Sequence, residues 1–227
     1  MTLRLVSVIG SSPGVGKSTL CRALAEWLGR AGASVDHFEE PEILTRPAFR
    51  PVAEEFAGGA ASVRPATLVD CTRAYVDESL AAGRDYLVTD ALLPFVPSLV
   101  AWGHEEPALV GIVAELAAAV EPAEVTVVYV HDDPAAALRR AVEREGADWA
   151  DWYVGKLAAS PGTRTVRDLD SAAAHLRFEA DLTRRLLAGT PWRVLTVDAG
   201  TLDAEDASAF ARHHLADGLG LTGLPRP

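Results

Sequence analysis

The stretch that most constrains this chain is IGSSPGVGKSTL, residues 9–20, because of what flanks it. An apolar, β-branched run precedes it at residues 3–9. In the stretch that follows, Leu20, Leu24, Trp27 and Leu28 recur at helical spacing before Gly29 and Gly32. Strand, glycine-rich loop and helix together form the context in which the pattern G-x-x-x-x-G-K-[ST] cradles phosphate. One glycine departs from that pattern. Its place, six residues before Lys17, is held by Ser11, and Gly10 stands one position early. Gly14 and Gly16 remain where close backbone approach and unusual torsions are needed, so the nest is expected to form despite Ser11. Its members are Ser12, Pro13, Gly14, Val15, Gly16, Lys17, Ser18 and Thr19. Backbone N–H groups and the positive end of the helix would hold the β-phosphate. Lys17 would bridge the β- and γ-phosphates of ATP, and the Ser18 hydroxyl would bind Mg²⁺.

The rest of the chain repeats the alternation that the loop begins. ASVDHFEE reads as a second strand ending in Glu39 and Glu40, and DYLVTD as a third ending in Asp90. VTVVYV at 125–130 and WRVLTVDA at 192–199 are a fourth and a fifth. Helical patterns fall at 64–82, 108–120, 133–144, 150–158, 170–188 and 203–215. The expected class is α/β: one domain over 1–227 with a central five-stranded parallel sheet, helices on both faces and a helical lid at about 140–165. The proline- and glycine-rich segment 40–65 and the segment 144–165 read as irregular lid or substrate loops, and about 217–227 as a flexible tail.

Charge and composition narrow the partners. A net charge of −11 disfavours nucleic acid and anionic lipid. No apolar run reaches the roughly 18 residues needed to span a membrane, and the N-terminal apolar residues are needed as a strand, so a cytoplasmic, soluble protein is expected. Cys21 and Cys71 are the two cysteines and lack metal-ligand spacing, which leaves them as ordinary buried thiols of a reduced compartment.

The loop, FEEP after strand two, and DDPAAALRRAVEREG after strand four resemble the P-loop nucleoside and nucleotide kinase superfamily, with deoxynucleoside kinases the closest pattern. The resemblance implies the three-layer P-loop NTPase fold. It also implies that Glu40, before Pro41, is the general base toward a substrate hydroxyl, with Glu39 as the neighbouring alternative. Asp90 matches the acid that helps hold Mg²⁺. Ala91 stands where such kinases carry a substrate-binding arginine, leaving Arg46, Arg50, Arg64 and Arg73 as possible substitutes. Arg140 and Arg144, one turn apart, resemble lid arginines over the phosphates, with Arg139 a third. Against this stands a solvated helix face with ion pairs to Glu143 and Glu145. Trp149, Trp152 and Tyr153 read as docking the lid helix or stacking on a substrate ring, and Lys156 as a surface lysine or a charge near the phosphates. DAGTLDAED would pack over adenine.

The expectation is therefore an ATP- and Mg²⁺-dependent phosphotransferase acting on a small-molecule hydroxyl, nucleoside or nucleoside-like. An antibiotic or other natural-product hydroxyl is the variant that Ala91 favours. A nucleotide-switch ATPase or GTPase would need a second signature lysine or an N/T-K-x-D motif, and neither is present. A binder that has lost turnover is the third class, supported by Ser11 and Ala91. A homodimer through the alanine-rich 108–120 stretch is possible.

Overall fold

Short apolar runs buried on both faces have no polar side to present to water, and they become the central strands of a parallel sheet. In the computed structural model, which describes residues 2–58 and 62–218, the strands are β1 (Arg4–Gly10), β2 (Val35–Phe38), β3 (Tyr86–Thr89), β4 (Glu124–His131) and β5 (Arg193–Asp198). All pair in parallel, in the order β2-β3-β1-β4-β5. The helices are α1 (Lys17–Arg30), α2 (Arg50–Ala57), α3 (Pro65–Ala81), α4 (Val96–Ala101) and α5 (Glu106–Ala119), then α6 (Pro134–Glu145), α7 (Ala147–Ala158), α8 (Leu169–Ala188) and α9 (Ala204–Gly218).

Successive side chains on a strand point to opposite faces, so each inner strand feeds two cores. Val6 and Val8 pack with Leu24 and Leu28 of α1 and with Ala211 of α9. Leu5, Leu87 and Val127 pack on the other side with Val76 of α3, Leu116 of α5 and Leu182 of α8. The result is three layers. From β1 the chain runs outward to β2 at one edge, whereas from β3 it crosses β1 to reach β4. Those two connections leave neighbouring strand ends in opposite directions, and the crevice between them is where open α/β sheets receive ligands.

Two segments differ from the sequence expectation. Residues 40–57, expected to be irregular, form 3₁₀ turns at Glu40–Leu44 and Pro47–Phe49 followed by α2. Their prolines occupy first-turn positions, where a missing N–H breaks no hydrogen bond, so a proline-rich composition there starts helices rather than preventing them. Pro97 begins α4 in the same way, another helix that periodicity missed because it is only 6 residues long. The segment expected as a lid, about 140–165, covers the end of α6, all of α7 and the residues after it, and α6 and α7 share a small core with α8 through Leu138, Tyr153, Val166 and Leu176. α7 begins at Ala147, after Gly146 at φ 96°, earlier than the expected 150. Of the expected tail, residues 219–227 lie outside the described residues. No helix among the described residues is long and apolar enough to cross a membrane. Both cysteines are free and buried, and burial pushes both thiols up.

Candidate functional site

The glycine-rich loop turns tightly between β1 and α1. Gly14 and Gly16 have φ of +83° and +88°, a region that side-chain-bearing residues rarely adopt. A Cβ on Gly14 would also lie 2.8 Å from the carbonyl oxygen of Ala137 in α6. Ser11 needs no such freedom. Its N–H donates to the Val130 carbonyl at 2.9 Å, and its hydroxyl accepts from the Asp132 N–H at 3.4 Å, tying the loop to the end of β4. The tighter position at the strand exit is one residue earlier, where a Cβ on Gly10 would lie 2.7 Å from Val15 Cγ2 and would force the Val15 side chain to shift. At the N-terminus of α1, Gly16 provides no side-chain cap and no acidic residue stands in the first turn. The first N–H groups of the helix are therefore left available to an anion. The Ser12 hydroxyl is buried without a hydrogen-bond partner among the described residues, a second unfilled polar group in the same loop.

Lys17 reaches from α1 to the ends of β2 and β3. Its Nζ lies 2.8 Å from Glu40 Oε2, 3.2 Å from Asp90 Oδ2 and 2.9 Å from the Asp90 carbonyl oxygen. Ser18 Oγ donates to Asp90 Oδ2 at 2.5 Å, and the Glu40 N–H to Asp90 Oδ1 at 2.8 Å. Asp90 is almost sealed, with 1% of its side chain exposed, whereas Glu40 is 70% exposed. Burial works against the charge on Lys17. Attraction and hydrogen bonding from Glu40, then from Asp90, outweigh burial and hold its pKa above the ordinary lysine value. Burial likewise disfavours the Asp90 carboxylate, but Ser18, Lys17 and the Glu40 N–H together keep its pKa below the ordinary value. Ser18 and Asp90 present adjacent hard oxygens. That suits Mg²⁺, which takes one or two protein oxygens and completes its shell with phosphate and water. Among the described residues no cluster of three or more His, Cys, Asp or Glu side chains offers an all-protein metal cage.

The two glutamates at the end of β2 have different surroundings. Glu39 receives both Arg22 Nε and Nη2 on Oε1, at 3.2 and 2.8 Å, and forms a reciprocal capping box with Glu42 at the start of the 3₁₀ turn. Glu40 alone of the pair faces Lys17. That difference was invisible in the sequence, since the partners Arg22 and Lys17 lie on successive turns of α1.

The arginines divide similarly. Arg140 is paired with Asp132, while Arg144 is exposed and paired with Glu145 at 2.7 Å, so the two are not gathered onto one point. Arg46 is held by Asp36 and the His37 carbonyl over the rings of Phe38 and Tyr75. Arg50, Arg64 and Arg73 pair with Glu54, Glu55 and Asp70. In α7, Trp149 and Tyr153 stack on each other at 5.0 Å, and Tyr153 is buried against α8, so this pair of rings packs α7 onto α8. Trp152 is exposed, with Lys156 Nζ over its ring.

Two clefts flank the loop. The first, about 330 Å³, lies between Gly14, Val15, Gly16 and Thr19, Arg140 of α6 and the β5–α9 connection, from which Ala199, Leu202 and Asp203 contribute. This is where DAGTLDAED was expected to meet a base. The second, about 310 Å³, is lined by Gly10 and Lys17 together with Glu40 and Asp90. Its remaining wall includes Phe56, Leu92, Phe95 and Trp102, none of which the sequence reading singled out. The only available signal was the apolar run ALLPFVP directly after Asp90. Neither the known family models nor the curated proteins compared with this chain give a match.

Proposed function

We propose that the protein is a P-loop kinase-like phosphotransferase that uses ATP and Mg²⁺ to phosphorylate a hydroxyl group of a small molecule. The observation that carries this reading is the placement of two clefts beside one glycine-rich loop, the first lined by Gly14, Val15, Gly16 and Thr19 and the second by Lys17, whose Nζ lies 2.8 Å from the Glu40 carboxylate. Nucleoside and base of ATP fit the first cleft, and its phosphates fit the loop. The acceptor fits the second, within reach of Glu40.

The residues then have distinct tasks. The N–H groups of Gly14–Thr19 hold the phosphates and orient them without covalent participation. Lys17 exchanges its contacts with Glu40 and Asp90 for phosphate oxygens, which frees the Glu40 carboxylate. Glu40 takes the proton of the acceptor hydroxyl as the hydroxyl oxygen bonds to the γ-phosphorus and the bond from that phosphorus to the bridging oxygen of ADP breaks. The products are the phosphate monoester and ADP. Arg140 lies on the first cleft wall, where its charge offsets that of the nucleotide. Ser18 and Asp90 would hold Mg²⁺, which would supply further neutralisation of the phosphate charge.

The test is ADP release by the purified protein with ATP and Mg²⁺ across nucleosides, nucleoside monophosphates, aminoglycosides and apolar alcohols. Acceptor-dependent release supports the assignment. ATP binding with no release from any acceptor class refutes turnover and leaves a nucleotide binder.

A further inference from the structure

We infer that the second cleft takes an uncharged, largely apolar alcohol of one or two rings, and not a phosphorylated acceptor such as a nucleoside monophosphate. This rests on the kinase reading only for what happens to the hydroxyl. The choice of ligand comes from the walls.

Ile43, Val52, Phe56, Leu92, Phe95 and Trp102 converge on the cleft from both sides of the β3 end. Its charged lining consists of Lys17, Glu40 and Asp90, so the walls carry one positive and two negative groups. A phosphate entering beside Glu40 would meet net negative charge, with no arginine among the described lining residues to receive it. Arg46, Arg50, Arg64 and Arg73 are each paired with a carboxylate, and none of them lines the cleft. Ala91, on the wall, contributes no charge. The volume of about 310 Å³ is at the small end for ligand sites, roughly 300–1,000 Å³.

The backbone favours the same conclusion. Leu93 and Phe95 have φ of 38° and 59°, which non-glycine residues adopt at an energetic cost and which persist where the surroundings enforce them. Ser7 Oγ, buried in β1, holds the segment by donating to the Leu92 carbonyl at 2.6 Å. The enforced turn places Leu92 and Phe95 on the wall ahead of any ligand, which limits the ordering required when one binds.

Calorimetric titration of the full chain with borneol, thymidine and thymidine monophosphate tests the assignment, with ATP affinity measured separately. Borneol is expected to bind about tenfold or more tightly than the monophosphate. Phe56→Ser, at a rim position 39% exposed and so tolerant of change, is expected to weaken borneol about tenfold. Ala91→Arg is expected to raise affinity for the monophosphate. Monophosphate binding as tight as borneol, or no borneol binding up to its solubility, overturns the inference while intact ATP binding leaves the kinase reading standing. Borneol binding in a protein that does not bind ATP supports the cleft assignment and removes the kinase reading.

Discussion

Glu40→Gln separates catalysis from architecture, because the two contributions differ in size. The Glu40 carboxylate pairs with Lys17 at 2.8 Å but is 70% exposed. Water screens such a pair, and it is worth at most about 1 kcal/mol to folding. For a chain of this length that corresponds to a fall in Tm of roughly 2–4 °C or less. A general base contributes about 10²–10⁴-fold to rate, or roughly 2.7–5.5 kcal/mol at the barrier. Glutamine keeps the size and an accepting oxygen but has negligible affinity for the acceptor proton. The expected variant therefore has near-native Tm, near-native ATP affinity and kcat lowered by at least about a hundredfold. ADP release at saturating ATP and acceptor, an ATP titration and a thermal melt measure the three quantities. A kcat within about threefold of the wild type, with the acceptor bound, refutes Glu40 as the base. It would also break the link between Lys17 release and base activation.

Lys17→Ala should abolish detectable ATP binding and lower stability by about 1–3 kcal/mol, since the sealed Asp90 carboxylate keeps only Ser18 and the Glu40 N–H; unchanged ATP affinity would remove Lys17 from the phosphate site. Ser11→Gly should leave ATP affinity within about threefold and stability within about 1 kcal/mol, because Ser11 makes one long hydrogen bond through its side chain. Gly14→Ala, by contrast, should destabilise by about 1–3 kcal/mol through its positive φ and the Ala137 carbonyl, and equal melts for the two variants would contradict the loop geometry. Glu55 clasps α2 to the start of α3, and hydrogen bonds from Thr67 and the Arg64 backbone and side chain bring its carboxyl from 4.5 to about 2. A depressed carboxyl stabilises fully above its unfolded value, so this contribution is lost as pH falls from about 4.5 toward 2. Glu55→Gln should make the acid limb of Tm against pH shallower, and an unaltered limb would exclude the clasp.

Much of this molecule follows from local spacing. The alternation of short apolar runs with helical periods determined an α/β chain with five strands. The flanks of residues 11–19 determined a tight loop opening a helix, since period and glycine placement are properties of neighbours in the chain. Asp90 at a strand end was legible for the same reason. Other features required the packed sheet. Glu39 and Glu40 are adjacent and chemically identical, and only the placement of α1 against β2 gives Arg22 to one and Lys17 to the other. The four arginines that the sequence offered as substrate contacts were countable, but their ion pairs depend on helices docking at particular angles. The second cleft assembles residues from position 9 to position 183. The order β2-β3-β1-β4-β5 brings them together, and no periodicity along the chain encodes an order across the sheet.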